Sequence, residues 1–254
     1  MSLEKFVWVL AVALSIFMQG PASQAETLTV AVTANMKYTF GDLSDKFRRE
    51  SGIETKGVFG SAGKIVSQVR NGAPFDVFLS ADTDFPDALY KDGLATAQSR
   101  VYAYGTLVLW TGGQFDLGKG MSILSDPAIH KIAICNPEVG VYGQAAVKAM
   151  KSAGLDLTDG AKLVYADSLT QAAQFVDSGV AEIGFLSKSI AIAPAMAGKG
   201  KWVEIPKNSY PPIAQGVVIL KHGAANRVDA QRFVDFLFTQ KARSIFEKYG
   251  YLLP

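Results

Sequence analysis

Four short segments of the chain combine small residues with hydroxyl or amide side chains, each where a predicted strand runs into a predicted helix. In an open parallel sheet, ligands bind beyond the carboxyl ends of the strands. The first N–H groups of a helix have no partner within it and carry a partial positive charge, so they attract anions. The predicted chemistry is therefore anion binding without a cationic side chain. The segments are Thr33-Ala34-Asn35, Gly60-Ser61-Ala62-Gly63, Val141-Tyr142-Gly143 and Asp167-Ser168-Leu169.

Each of these residues also has a purely structural interpretation. Asn35, Ser61 and Ser168 are favourable helix N-caps, and capping alone would explain any one of them. Tyr142, taken singly, is more typical of a packing aromatic than of a ligand donor. One exposed helix start contributes only ~0.3–1 kcal/mol toward an anion. Several junctions must therefore converge in a closed cleft for the anion hypothesis to hold.

Other chemistries fit the sequence less well. Residues 60–65 look superficially like a phosphate loop, but Val58 stands where that motif has glycine and Ile65 replaces the magnesium-binding Ser or Thr. The chain has two histidines, His130 and His222, too few for a multi-histidine metal site or a well-supported nucleophile and base. The single cysteine, Cys135, follows an apolar run and is predicted to be an inert core thiol. We therefore expect neither catalysis nor a cofactor.

Strands and helices alternate along the chain, which predicts an α/β protein with a parallel sheet covered on both faces. Asp82 is predicted to lie at a helix start rather than to be catalytic. Predicted strands are residues 28–34, 53–59, 75–80, 101–110, 131–135, 163–166, 182–186 and 213–220. Predicted helices are residues 36–50, 63–71, 84–91, 142–154 and 168–177, with two more within 226–249.

The N-terminus has the layout of a secretory signal peptide. Lys5 precedes an apolar run over residues 6–18, and small residues precede a predicted cleavage after Ala25. A membrane anchor is the alternative, but the run is too short to span a bilayer comfortably. The net charge of +2 is too slight to indicate nucleic-acid or membrane-surface binding. The mature chain is therefore expected to be exported and soluble.

Several blocks of sequence resemble the periplasmic molybdate-binding proteins of ABC transporters. They are residues 28–35 (LTVAVTAN), 60–68 (GSAGKIVSQ) and 71–82 (NGAPFDVFLSAD), with Asn136-Pro137-Glu138, Tyr142-Gly143 and Tyr249-Gly250-Tyr251 further on. The resemblance covers essentially the whole mature chain. It implies the type II periplasmic binding protein fold: two α/β lobes, each with a central sheet flanked by helices, that close on a ligand. The implied first lobe is residues 26–104 and 215–254, and the second is residues 105–214.

The resemblance also implies a set of oxyanion contacts. They are Ala34, Asn35, Ser61, Ala62, Tyr142 and Leu169, the last through its backbone N–H. Asn35, Ser61 and Tyr142 would contact the oxygens of molybdate rather than its metal atom. Two positions depart from the family, since Ala62 stands where a second serine is common and Ser187 where some members have tyrosine. Selectivity among oxyanions is therefore left open.

The implied function is capture of molybdate or tungstate by a monomer that delivers it to a permease in the inner membrane. Closure is expected about crossovers near Tyr104-Gly105 and Ala214-Gln215. One alternative is a protein of the same fold that binds sulfate, phosphate, iron or an organic acid. The four junctions lack the arginine of an amino-acid site, and Tyr210 stands without the clustered tyrosines of an iron site. A secreted enzyme is the less favoured alternative.

Overall fold

A computed structural model describes residues 27–155, 162–222 and 226–254, so the predicted signal peptide lies outside the described residues. The strands are β1 Leu28–Thr33, β2 Thr55–Gly60, β3 Val77–Leu79, β4 Arg100–Gly105, β5 Leu107–Thr111, β6 Ile132–Cys135, β7 Leu163–Ala166, β8 Ile183–Ser187, β9 Lys201–Glu204 and β10 Ile213–Ile219. The α-helices are α1 Lys37–Ser51, α2 Ala62–Arg70, α3 Asp84–Lys91, α4 Val141–Ser152, α5 Leu169–Asp177, α6 Lys188–Ala191, α7 Arg227–Phe236 and α8 Gln240–Lys248. Short 3-10 helices cover Ala34–Met36, Leu117–Ser125, Pro194–Met196 and Lys207–Ser209.

The strands form two five-stranded sheets, each at the centre of one lobe. The order is β2-β1-β3-β10-β4 in the first lobe and β7-β6-β8-β5-β9 in the second. The predicted two-lobed α/β class is confirmed, but the prediction of a parallel sheet is wrong for part of each sheet. β1 runs parallel to β2 and β3, and β6 parallel to β7 and β8. β10 and β5 run antiparallel to all their neighbours, because these strands follow connections that pass between the lobes.

The chain crosses between the sheets twice. The apolar run predicted as one strand, residues 101–110, is divided at Thr106 into β4 of the first sheet and β5 of the second. The return passes from β9 to β10. The two crossover strands β4 and β10 lie side by side, with Gly105 opposite Ile213. The predicted lobe boundaries fall at these strands and remain a prediction.

Buried apolar faces hold each sheet to its helices. In α1 the predicted inward positions Phe40, Leu43 and Phe47 are buried, and the Phe47 ring packs edge-on against Phe233 of α7 at 5.1 Å between centroids. Burying one such side chain stabilises a fold by ~1.5–3 kcal/mol. The helix ends at Gly52, whose φ of 74° favours glycine. This packing fixes the 3-10 helix before α1 against the end of β1.

One strand and one α-helix, β9 and α6, were not predicted. β9 lies at the edge of the second sheet and three of its four residues are exposed, so it lacks the apolar alternation of a half-buried strand. α6 spans only Lys188–Ala191, less than two helical turns. Within the described ranges, no helix has both the length and the apolar content needed to cross a bilayer.

Candidate functional site

The four predicted junctions converge on one cavity between the lobes. All six residues predicted as oxyanion contacts line it. From the first lobe come Thr33, Ala34, Asn35, Gly60, Ser61, Ala62 and Ala81, and from the second come Cys135, Gly140, Val141, Tyr142 and Leu169. The convergence is a structural fact, while the binding role of these residues remains a proposal. The cavity is small, with a volume of about 20 Å³.

Two buried hydroxyl groups at this cavity have no acceptor for their proton among the described residues. They are Ser61 Oγ in the first lobe and the Tyr142 hydroxyl in the second, in residues that are 5% and 3% exposed. Buried polar atoms in folded proteins are nearly always paired, and leaving one unpaired costs ~1–3 kcal/mol. Two such groups on opposite walls of one cavity therefore indicate a ligand that accepts hydrogen bonds from both lobes.

The capping explanation fails for two of the three candidate caps. Ser61 is the residue before α2, but its side chain makes no capping hydrogen bond. Asn35 is the second residue of a 3-10 helix whose N-cap position is Thr33. Ser168 does cap α5, since its Oγ accepts a hydrogen bond from the Gln171 N–H at 3.3 Å. Ser61 and Asn35 are thus left for a role other than capping.

The Asn35 side chain is already engaged inside the protein. Its Nδ2 donates to Gln215 Oε1 at 2.8 Å and to the Tyr251 hydroxyl at 2.9 Å. Its Oδ1 has no partner among the described residues. The leading N–H groups of a 3-10 helix have no partner within that helix. Asn35 would therefore reach an anion through its backbone N–H rather than through its side-chain amide.

The electrostatics of the cavity come from neutral donors and helix starts. None of the described residues that line it is Asp, Glu, Lys, Arg or His. Burial raises the pKa of Tyr142 well above its ordinary value, and burial raises the pKa of the Cys135 thiol to about 12. Both groups are therefore neutral at physiological pH. With α2, α4 and α5 all starting at the cavity, partial positive charge is concentrated there without a full charge.

Three contacts join the two lobes across the cleft, as expected of a closed form. The Gly63 N–H donates to the Val139 carbonyl at 3.0 Å. Ser189 lies two positions after the end of β8. Its Oγ donates to the Asn35 carbonyl at 2.8 Å. At the rim, Lys64 Nζ lies 2.8 Å from Asp167 Oδ2. The first two contacts reach backbone atoms in or next to the predicted site, so closure and site geometry are linked.

Close packing at the start of α4 brings Tyr142 into the cleft. A Cβ added at Gly143 would overlap the Cys135 carbonyl, and one added at Gly140 would overlap the Cys135 sulfur. These glycines therefore let the first turn of α4 approach the end of β6 closely. Any larger residue at either position would push the helix, and the tyrosine it carries, away from the cavity.

Sequence reasoning missed the position of Cys135. The prediction of a buried thiol is confirmed, because the side chain is 3% exposed and its pKa is raised. Cys135 nevertheless lines the cavity, which the sequence analysis did not predict. The signal was available, since Cys135 ends a strand just as the other junctions do. The same rule that selected them would have selected it.

Two other predicted positions lie outside the cavity lining. Ser187 Oγ lies 2.9 Å from Ser189 Oγ, to which it can donate, and it accepts from the Ile190 N–H at 3.4 Å, so it caps α6. Asp82 lies at the start of α3 as predicted, and its Oδ1 accepts from Ser80 Oγ at 2.9 Å and from the Phe85 N–H at 3.4 Å. Among the described residues, no cluster of three or more His, Cys, Asp or Glu side chains could hold a metal ion.

Comparisons with known proteins agree on one family. Residues 28–252 match the family described as bacterial extracellular solute-binding protein. The molybdate-binding protein ModA of Azotobacter vinelandii is 38% identical over 95% of this chain and 96% of its own length. ModA of Rhodobacter capsulatus is 35% identical over 95% of this chain and 94% of its own. The solved structure of the Azotobacter vinelandii periplasmic molybdate-binding protein superposes with a TM-score of 0.83 at 34% identity, covering 89% of this chain and 99% of that one.

Proposed function

Since the chain belongs to the bacterial extracellular solute-binding proteins, among their molybdate-binding members, we propose that it captures molybdate or tungstate and delivers it to an ABC transporter. Capture involves no catalysis and no cofactor, and the oxyanion is the cargo. Relatives at 38% and 35% identity over nearly the whole chain are molybdate-binding proteins, which supports this ligand.

The observation that carries the proposal is the pair of buried, unpaired hydroxyls on opposite walls of the cavity. Ser61 Oγ and the Tyr142 hydroxyl each need an acceptor that the described part of the chain does not supply. A tetrahedral oxyanion presents four acceptor oxygens pointing in different directions. One such ion would therefore pair both hydroxyls and the backbone N–H groups of the helix starts at the same time.

The size of the cavity supports a single small oxyanion. Its volume of about 20 Å³ leaves room for one small ion. Sulfate and phosphate have the same shape but a smaller oxygen shell. Each donor that a smaller ion leaves unpaired costs ~1–3 kcal/mol, which corresponds to tenfold or more in affinity.

The contacts across the cleft support capture by closure. In an open form, the ligand would meet the donors of one lobe, for example Ser61, and then those of the other, for example Tyr142. A ligand shifts a conformational equilibrium only by its difference in affinity for the two forms. The closed form contributes the second wall of donors and the hydrogen bond from Ser189 to Asn35, so ligand binding favours closure.

Location and partner complete the proposal. Residues 1–25 act as a signal peptide, and the mature protein, beginning at Glu26, works as a monomer in the periplasm. The lobes, residues 26–104 with 215–254 and residues 105–214, close about the crossovers and then dock on a permease in the inner membrane. The alternative ligands, sulfate and phosphate, become outcomes of the test.

Calorimetric titration of the mature protein with molybdate, tungstate, sulfate and phosphate tests the proposal. We expect tight binding of the first two, and binding of sulfate and phosphate that is weaker by at least a hundredfold or undetectable. Tight binding of sulfate or phosphate alone would assign a different ligand to the same cavity. Absence of heat with all four anions would contradict oxyanion capture, while the fold would stand.

A further inference from the structure

Gln215 is a fully buried amide in an otherwise apolar strand. It lies in β10, where six of the seven residues are buried, and its own exposure is 0%. Its pairing with β4 is irregular, because the register shifts between Gln215 and Gly216. Burying an amide is unfavourable unless its hydrogen bonds are satisfied. The bonds of Gln215 therefore indicate why an amide stands at this point of the return crossover.

Those bonds fix the orientation of the Gln215 amide. Its Nε2 donates to the Ala81 carbonyl and to the Ile213 carbonyl, each at 3.2 Å. Backbone carbonyls only accept hydrogen bonds, so a rotated amide would bring oxygen against oxygen. The Gln215 Oε1 is consequently directed to Asn35, whose Nδ2 donates to it at 2.8 Å.

The orientation of Asn35 follows from that of Gln215. With one Nδ2 hydrogen bonded to Gln215, the other is bonded to the Tyr251 hydroxyl. Tyr251 in turn donates to the Asn35 carbonyl at 3.2 Å, so the residue is held through both its side chain and its backbone. A residue held at both ends presents its backbone N–H to the cavity in one direction.

Gln215 also lies near the Tyr142 hydroxyl, the hydrogen-bond donor of the second lobe. A Cβ added at Gly105 would overlap the Tyr142 hydroxyl and come within 3.0 Å of Gln215 Nε2. Gly105 ends the outward crossover strand β4. The two crossovers, the first-lobe residue Asn35 and the second-lobe residue Tyr142 thus meet around Gln215 in the closed form.

We propose that Gln215 is a positioning residue for oxyanion binding: it holds Asn35 in its binding orientation and forms the surface on which Tyr142 comes to rest when the lobes close. This inference rests on the proposed function, because it assigns a role within the same cavity. Gln215 itself does not line the cavity, so it acts through its neighbours.

The test compares tungstate binding by Gln215→Met, Gln215→Glu and the wild type. Methionine keeps the length of the side chain but leaves Asn35 Nδ2 without its acceptor, and we expect tungstate affinity to fall at least tenfold. A buried glutamate has a raised pKa, and its neutral form supplies the acceptor and one of the two donors. We therefore expect the ratio of Gln215→Glu to wild-type affinity to rise as the pH falls from 8 to 5.5. Taking the ratio at each pH cancels the titration of the ligand, and making both proteins in an Asp82→Asn background removes the titration of that neighbouring carboxyl.

The matched control is Gln231→Met on the exposed side of α7, where the amide bonds only Asp235 among the described residues. Its tungstate affinity should stay within twofold of the wild type. Circular dichroism and thermal unfolding of each variant separate loss of binding from loss of fold, and the pH ratio of Gln215→Glu would not move if the role were only structural. Wild-type affinity in Gln215→Met, or a flat pH ratio, would overturn this inference and leave the proposed function standing. A wild-type protein that binds no oxyanion would overturn both.

Discussion

Ser61 and Ser168 each precede a helix on opposite walls of the cavity, yet their hydroxyls do different things. Both have extended backbone conformations, with φ and ψ of −80° and 154° for Ser61 and −158° and 164° for Ser168. Ser168 Oγ accepts from the Gln171 N–H and so completes the first turn of α5. Ser61 Oγ is buried without a partner among the described residues and leaves the first turn of α2 uncapped.

Under the proposed function, the difference marks a position where the chain gives up stability for binding. Ser168 follows the strand–helix pattern of an ordinary capped helix, and its role ends within the second lobe. Ser61 forgoes a cap that stabilises a helix by ~1 kcal/mol and keeps an unpaired hydroxyl at the cavity. Residues of one type at equivalent positions therefore serve two purposes, and a pair of substitutions can distinguish them.

The largest expected effect is on ligand affinity in Ser61→Ala. A hydrogen bond to a charged group contributes ~1.5–3 kcal/mol, so the tungstate affinity should fall roughly ten- to hundredfold. The thermal stability of the ligand-free protein should be unchanged or slightly raised, because the hydroxyl that is removed has no partner in the described part of the chain. Calorimetry and thermal unfolding measure the two quantities. Unchanged affinity would mean that Ser61 does not contact the ligand.

Asp82 lies two residues before α3, whose N-cap is Thr83, and it places a partly buried carboxyl near a third helix start. Burial raises the pKa of Asp82 to about 6 from an ordinary value of 3.8. Because the folded state then binds a proton more tightly than the unfolded state, this group lowers stability as the pH rises from about 4 through about 6. The loss is roughly 2–3 kcal/mol above that window.

The substitution Asp82→Asn keeps the Oδ1 that accepts from Ser80 and Phe85 but removes the titration. The stability of the variant relative to wild type should rise by roughly 2 kcal/mol between pH 4.5 and pH 7.5. Urea unfolding at several pH values provides the measurement. If the two proteins show parallel pH profiles, the Asp82 carboxyl has no raised pKa in the folded state.

Ser168→Ala is the matched partner of Ser61→Ala, and it should lower stability rather than ligand affinity. Loss of the cap should lower the free energy of unfolding by ~1 kcal/mol. Tungstate affinity should stay within about threefold of wild type, since Ser168 Oγ is used by Gln171. A tenfold loss of affinity in this variant would erase the distinction between the two serines.

The smallest effect on tungstate affinity is expected from the ion pair at the rim of the cleft. Lys64 and Asp167 bridge the cleft, but their side chains are 48% and 70% exposed. Exposed ion pairs contribute ~0–1 kcal/mol and are screened by salt. Lys64→Met should therefore weaken tungstate binding less than fivefold, with the difference vanishing at high ionic strength. A larger, salt-independent loss would mean that the bridge controls closure.

Local sequence patterns were enough to predict much of the candidate site and of the fold. The rule that ligands bind where strands end and helices begin selected the segments that converge on the cavity, and the alternation of elements predicted the α/β class. Nothing local marks Thr106 as the point where one apolar run enters a second sheet. The Asn35 amide is bonded to Gln215 and Tyr251, which lie 180 and 216 positions away in the sequence. No spacing pattern could therefore reveal that this amide already has partners inside the protein.

A crystal structure of the mature protein with tungstate, located by its anomalous scattering, tests the central claim most directly. The account predicts one tungstate between the ends of β1 and β2 and the starts of α4 and α5. Ser61 Oγ and the Tyr142 hydroxyl should each lie within hydrogen-bond distance of a ligand oxygen, and no charged side chain should contact the ion. Tungstate bound elsewhere, or bound here with either hydroxyl turned away, would contradict it.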